Sequence, residues 1–501
     1  MSERDLVVLG GGITGLAVAR LAARSGWRVT LLERDDFATG ASSASSHMLH
    51  GGLRYLEHGH FSLVREALAE RAAVARMAPA LAQPVRFLAP LTRGARLGPW
   101  KLRAGLMLYD LLAGRGAPSP HAMASARGAR ALEPALAERG LRGAGLYTDF
   151  VMDDARLAMA VARDAAAHGA ELRTYAELVS ARPGLETAAG PAIEVVARDR
   201  LHGAEVRVTA RVIVNATGAW TDATRTQVLR MLRPGAPDPA PLLRPSRGTH
   251  LVYPALTRGH GIVVTAASDG RVFFVVPFAG RSLVGTTEVE VATPPAPLEL
   301  RPSESEVRWL ADEVARVLPG AAQQRPLAVF AGVRPLLDAR GTTPDGAASD
   351  VGGASREHRV IEEGPLVTLA GGKYTTFRVM ARDALAVAAL RLGRPAPELP
   401  RDDAPLPAPL PAQADPVALG AHAVEQEFAR TLEGALRRRS VRWLDDDRGL
   451  GVAPDVASAM ARRLGWDAAR EREELDAWEH GVREEQALLA RALGHPHGGT
   501  P

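Results

Sequence analysis

The spacing Gly10-x-Gly12-x-x-Gly15, set between an apolar run and a helical pattern, constrains this chain more than any other stretch. Leu6 to Leu9 suit a buried parallel strand, and Leu16 to Ala23 are apolar on nearly every side, as in a packed helix. Gly10 permits the tight turn, Gly12 lets the backbone approach a pyrophosphate, and Gly15 lets helix and strand pack closely. Ile13 and Thr14 complete the turn, which leaves phosphates at the helix N-terminus. A second strand, Arg28 to Leu32, ends in Glu33-Arg34, where an acid about 20 residues past the glycines binds a ribose hydroxyl. An acid at that strand end favours an unphosphorylated ribose, hence FAD or NAD over NADP.

The 501 residues are enough for two or three domains, and 46% hydrophobic with 24% charged residues is an ordinary globular balance. A formal charge of +4 is too small to imply nucleic acid but leaves room for an anionic substrate or an acidic membrane surface. The absence of cysteine excludes disulfides, thiol catalysis and cysteine-held iron–sulfur clusters, so redox work needs an organic cofactor. The first strand is expected within five residues of the start, leaving no secretory signal. No apolar run approaches the ~18 residues that span a bilayer, so a cytoplasmic or peripheral-membrane protein is expected.

Beyond Glu33, small residues dominate Phe37 to Ser46, then His47-Met48-Leu49-His50-Gly51-Gly52-Leu53-Arg54-Tyr55 abruptly brings bulky hydrogen-bonding groups. Ser42, Ser43 and Ser46 offer hydroxyl donors on a backbone able to lie flat against a ligand. Phe61 to Met77 predicts a surface helix and Pro84 to Pro90 an extended segment. Trp100 to Leu112 predicts an apolar helix with Arg93, Arg96, Lys101 and Arg103 near its start; it suits either a bilayer surface, with Leu106 and Leu108 inserted, or an ordinary half-buried position.

Asp153-Asp154 suits the start of an Ala-rich helix. Strands are expected over Glu171 to Ser180, Ala192 to Val196, Glu205 to Val208 and Arg211 to Val214, the last running into Thr217-Gly218 beside the first glycines. Alternating strands and turns from Arg244 to Thr287 predict an antiparallel substrate layer. Leu366 to Ala370 leads into Gly371-Gly372-Lys373-Tyr374-Thr375-Thr376, which opens a helix through Leu390. Pro395 to Pro411 reads as a linker, and Val417 to Leu493 as a small helical domain.

Glycines followed by Thr375 and Thr376 aim backbone N–H groups and a positive dipole end at whatever precedes the helix, an arrangement that favours negative charge on a reduced flavin and is equally compatible with N-capping. Arg334, Arg356 and Lys373 lie in three Gly-rich segments expected to converge, where guanidiniums and an ammonium clamp a phosphate, unless they are solvated surface groups. His250, at a strand start, suits a base that takes a hydroxyl proton as hydride leaves carbon, or a structural hydrogen bond; His50 is equally open. Arg54 and Tyr55 either complete the anion pocket or pack on a flavin edge.

Taken together, His50-Gly51-Gly52-Leu53-Arg54-Tyr55-Leu56-Glu57 after its Ser-rich lead, Asp153-Asp154-Ala155-Arg156-Leu157, Gly332-Val333-Arg334-Pro335-Leu336 and Gly371-Gly372-Lys373 with Thr375-Thr376 closely resemble the FAD-dependent glycerol-3-phosphate dehydrogenases of the aerobic respiratory type, nearly end to end. The resemblance implies an α/β chain, α+β overall, with the glutathione-reductase-like FAD fold shared with amino-acid oxidases. It places a discontinuous Rossmann-like FAD domain at residues 1–85, 150–220 and 330–392, an antiparallel-sheet substrate domain at 86–149 and 221–329, a Pro-rich linker at 393–412, and a helical domain at 413–501.

It also implies oxidation of sn-glycerol 3-phosphate to dihydroxyacetone phosphate by hydride transfer to FAD, with membrane quinone as acceptor, at the cytoplasmic face of the cell membrane. No metal or nucleic acid is implied, and a homodimer stays open. Carried over by position, Arg334, Arg356, Lys373 and Tyr55 hold the phosphate, Arg54 lines the pocket and His250 accepts the proton. Two positions depart from the family pattern: His47 stands where Lys is common, leaving the charge near the cofactor phosphates open, and Tyr374 replaces a smaller aliphatic residue near the flavin. An oxidase using O2, an amine-oxidising relative and a non-catalytic FAD-binding subunit are the competing expectations.

Overall fold

Leu6 to Leu9 lie at the centre of a parallel sheet and are buried on both faces, which explains a continuous apolar run in place of an alternating one. Leu6 and Val8 join one core and Val7 and Leu9 another on the opposite face. This computed structural model describes residues 3–92, 98–116, 118–187, 190–338, 357–400 and 404–494, without the side chains of Arg54, His58, Arg115 and Leu185. The sheet runs His358–Glu363, Leu366–Gly371, Glu205–Asn215, Glu3–Leu9, Val29–Leu32, Glu171–Arg173. All neighbours are parallel except the first pair. Helices Ile13–Arg24, Asp154–Ala167 and Phe377–Leu392 cover one face. An antiparallel ribbon, Ala176–Thr187 with Gly190–Asp199, and the helix Thr221–Leu232 cover the other.

Glu205–Asn215 is one strand where the sequence suggests two. Its first half pairs with the ribbon and its second half with Glu3–Leu9, and Thr209-Ala210 between them supply no turn residue.

The second sheet is mainly antiparallel and has Ser246–Pro254 flanked by Arg281–Gly285 and Ala328–Arg334, then Val272–Phe278, Gly261–Thr265, Ala82–Thr92 and Leu141–Met152. A boundary at residue 330 therefore falls inside the strand Ala328–Arg334, and Thr221–Leu232 packs on the first sheet. The Pro-rich segment is docked on the first domain: Leu406 N–H donates to Met77 C=O at 2.8 Å and Arg163 donates to Ala408 C=O at 2.7 Å. Beyond it, helices Pro416–Glu425, Leu432–Arg438, Ala453–Leu464 and Ala468–Leu493 form the C-terminal domain.

The helix Pro99–Ala113 lays Leu102 and Leu106 over Gly145 of the Leu141–Met152 strand, while Trp100, Met107 and Leu111 are exposed. Leu106 is fully buried and Leu108 lines an internal cavity, so the Leu106 and Leu108 insertion expected for a bilayer-bound helix is not available, and the helix is half-buried as the alternative expectation had it.

Candidate active site

The glycine turn is built to take phosphate. A Cβ on Gly15 would lie 1.9 Å from the Gly10 carbonyl oxygen, and one on Gly10, at φ +105°, 2.7 Å from the Ala216 oxygen. The Ile13–Arg24 helix starting there has Gly12 as its N-cap, with no side chain of its own to cap it, and no acid in its first turn, so its positive end faces the cavity. Ser42 Oγ accepts from Ile13 N–H at 2.9 Å, and the Glu33 carboxylate accepts from Gly11 N–H at 2.6 Å and Asp35 N–H at 2.8 Å. Burial pushes the Glu33 carboxyl up to about 7 against those two hydrogen bonds, and Asp35 and Asp36 add to the rise. Glycine backbone, helix end and buried acid together fit the diphosphate and ribose of a dinucleotide.

From this turn a cavity of about 1010 Å³ runs between the two sheets. Gly10, Gly12, Ile13, Thr14, Glu33 and Arg34 line one end, with Ser42, Ser46, Thr217 and Gly218 beside them. His50, Gly52, Tyr55, His250, Arg334, Gly372, Lys373 and Thr375 line the rest. Gly15, Ser43, Gly51 and Thr376 are not on its wall. Gly51 instead donates its N–H to Tyr109 Oη at 2.9 Å, and Thr376 Oγ1 donates to the Lys373 carbonyl at 3.4 Å, with no cap on the helix that follows. Arg356 and the Arg54 side chain lie outside the described residues.

His250 projects from Ser246–Pro254 opposite Gly285, where a Cβ would lie 2.2 Å from its ring. Its ring stacks on Phe330 at 4.9 Å, Nε2 is 2.9 Å from Ser46 Oγ, and buried Nδ1 has no hydrogen-bond partner among the described residues. Burial, then the nearby Arg334 and His47, hold its pKa well below the usual range, so the imidazole is neutral at pH 7. Arg334, at the end of Ala328–Arg334, donates to Thr286 Oγ1 at 2.7 Å, Thr287 C=O at 3.1 Å and Ser246 Oγ at 3.5 Å. Lys373 Nζ lies 3.9 Å from the centre of the Tyr55 ring, and Thr375 Oγ1 donates to the His50 carbonyl at 3.4 Å. A neutral imidazole thus shares one cavity with the braced Arg334 and with Lys373.

His47 and Tyr374, singled out in the sequence as unusual for the pattern it resembles, meet at Asp154. His47 is buried off the cavity wall, with Nδ1 3.1 Å from the Met152 carbonyl and 3.3 Å from Asp154 Oδ1, and Tyr374 Oη donates to the Asp154 carbonyl at 2.5 Å. Sequence reasoning passed over the brace on Arg334, although Gly285-Thr286-Thr287 repeats the glycine-then-threonine pattern of Gly372 to Thr376 and could have flagged it. Trp220 and Arg271, both on the wall, carry no such signal.

Residues 5–373 match the family described as FAD dependent oxidoreductase. A Mycobacterium leprae protein named glycerol-3-phosphate dehydrogenase is 34% identical over 524 aligned residues, covering 93% of this chain and 85% of its own. Glycerol-3-phosphate dehydrogenase 2 of Mycobacterium tuberculosis H37Rv is 38% identical over 391 residues, 77% of this chain; the chain spans only 63% of that relative's length. The Bacillus halodurans glycerol-3-phosphate dehydrogenase crystallised with FAD shares the fold, with a TM-score of 0.71 at 22% identity over 100% of this chain and 97% of its own.

Proposed function

This chain belongs to the FAD-dependent glycerol-3-phosphate dehydrogenase family, and from that premise we propose that it oxidises sn-glycerol 3-phosphate to dihydroxyacetone phosphate with quinone as final acceptor. The observation that carries the reading is the neutral, buried His250 set in one cavity with Arg334 and Lys373, continuous with the glycine turn. A phosphate dianion explains paired cations better than an amino-acid carboxylate, which one Arg satisfies.

FAD is the cofactor, and once bound it would supply a two-electron acceptor for the hydride lost from the substrate C2. Gly10, Gly12 and the following helix end would hold its diphosphate, with Gly15 letting that helix pack close, and Glu33 would hold the ribose. Arg34, Ser42, Ser46, His50, Gly52, Thr217, Gly218, Gly372 and Thr375, all on the cavity wall, would complete its surroundings. Arg334 and Lys373 bind the substrate phosphate, joined by Tyr55; by resemblance alone Arg356 belongs to the same clamp and Arg54 to the pocket lining. Held by that phosphate, the substrate presents its C2 hydroxyl to His250, which takes the proton and relies on Ser46 for its orientation. Bracing by Thr286, Thr287 and Ser246 keeps the Arg334 fork in one geometry, so orientation is fixed before the substrate arrives.

Among the described residues no helix is long and apolar enough to cross a membrane. The exposed Trp100, Met107 and Leu111 support peripheral attachment to the cytoplasmic face, where quinone is reached. Steady-state turnover with a soluble quinone, with dihydroxyacetone phosphate and peroxide both quantified, tests the reading. Product matching quinone reduced, without peroxide, is expected; product matching peroxide would make it an oxidase.

A further inference from the structure

The family match ends at residue 373, yet the C-terminal helices reach back to the glycine turn. Asp36, three residues past Glu33, is fully buried between two arginines at the end of Leu432–Arg438. Arg439 grips it with both terminal nitrogens, at 2.5 and 2.7 Å, and Arg438 Nε donates at 2.9 Å. Both guanidiniums are themselves anchored: Arg439 on the Glu427 and Gly434 carbonyls, Arg438 on Glu433. Burial pushes the Asp36 carboxyl up, but Arg439 and Arg438 outweigh it and hold the pKa below the ordinary range.

The grip is transmitted within two residues. Phe37 packs edge-on against Phe428 of the C-terminal domain at 5.6 Å, and a Cβ on Gly11 would lie 2.5 Å from Phe37 Cδ1. Ala38 N–H donates to the Gly11 carbonyl at 3.0 Å from a left-handed conformation, φ 61°, which a non-glycine residue keeps only where its surroundings impose it. Gly11 N–H in turn donates to Glu33. Buried ion clusters add little net stability over apolar packing of the same volume, whereas a planar two-point fork fixes position.

We propose that the C-terminal domain is a positioning device for the cofactor: Arg438 and Arg439, through Asp36, set the 33–39 turn against Gly11 and so govern affinity for the adenosine-diphosphate end of FAD. The proposal rests on the FAD reading of the cavity. The test uses the full chain stripped of flavin, with variants Asp36→Asn and Arg439→Gln, their double variant, and Arg437→Gln as a control. Arg437 pairs with Glu485 inside the C-terminal domain. Dissociation constants for FAD and for ADP are measured by fluorescence and calorimetry, and kcat and KM at saturating FAD.

Both single variants should weaken FAD and ADP alike by about tenfold or more, with the double variant no worse than the singles. Saturating FAD should restore kcat and KM to within about twofold, and Arg437→Gln should leave both affinities in place. Unchanged affinities in folded Asp36→Asn, or an equal loss in Arg437→Gln, overturn the proposal. Should Asp36→Asn fail to fold, Arg439→Lys, which keeps the charge and loses the fork, decides it: weaker ADP binding supports, unchanged binding overturns. An unmodified chain that takes ADP but no FAD defeats the cofactor reading alone, and the ADP constants still judge the positioning.

Discussion

The Nε2 atom of His250 lies 2.9 Å from the Oγ of Ser46, across 204 residues of chain, in a pocket that keeps the imidazole uncharged. Because the pKa is lowered, the base form is present at and below pH 6.5, and the group is lost as a base only in more acid solution. The account expects kcat to hold through pH 6.5, and His250→Asn to lower kcat by about 10²–10⁴ with flavin content unchanged. A stopped-flow pH series checks both; a kcat that halves near 6.5 contradicts the assignment.

Glu33 gives a pH dependence of opposite kind. Its carboxyl titrates at about 7 in the fold against an ordinary 4.5, so the folded chain retains a proton that the unfolded chain loses. Stability is therefore fully present below 4.5 and falls as pH rises toward 7. Flavin-free Glu33→Gln should lose less stability across that window, by on the order of 3 kcal/mol. Urea unfolding of both proteins at several pH values measures the difference, and parallel curves would refute it.

Arg334 is braced on Ser246, Thr286 and Thr287, which suits a fixed phosphate fork. Arg334→Ala should cut kcat/KM for glycerol 3-phosphate by roughly 10²-fold or more, mostly through KM, while FAD content stays. Arg334→Lys should recover only part of the loss, because an ammonium lacks the fork. Equal loss of flavin and substrate binding would make the residue structural.

The exposed apolar face of Pro99–Ala113 consists of Trp100 (78% exposed), Met107 and Leu111 (76%). Trp100→Glu with Leu111→Glu should lower binding to anionic vesicles with the thermal midpoint little changed. Leu106→Glu should instead unfold the protein, since it places a charge against Gly145 in the core. Vesicle flotation and melting curves separate the two effects; unchanged flotation of the surface pair counts against attachment.

The sequence was most legible where function is local in the chain. The glycine turn, its helix and Glu33 occupy one contiguous stretch, and the structure places them as their spacing suggests. Sidedness was harder: the helical period of Trp100 to Leu112 is ambiguous because its buried and exposed faces are both apolar. Long-range pairings left no trace in a single sequence. Nothing near Asp36 announces arginines 402 and 403 residues away, and a Gly285 that makes room for His250 reads only as a strand-end glycine.

Anaerobic mixing of the flavin-loaded protein with sn-glycerol 3-phosphate, followed at the flavin absorbance band, tests the central claim most directly. The account predicts rapid bleaching by the phosphate ester, none by glycerol or glycine, and dihydroxyacetone phosphate equal to the flavin reduced. Bleaching by glycine, or none by the phosphate ester, would contradict it.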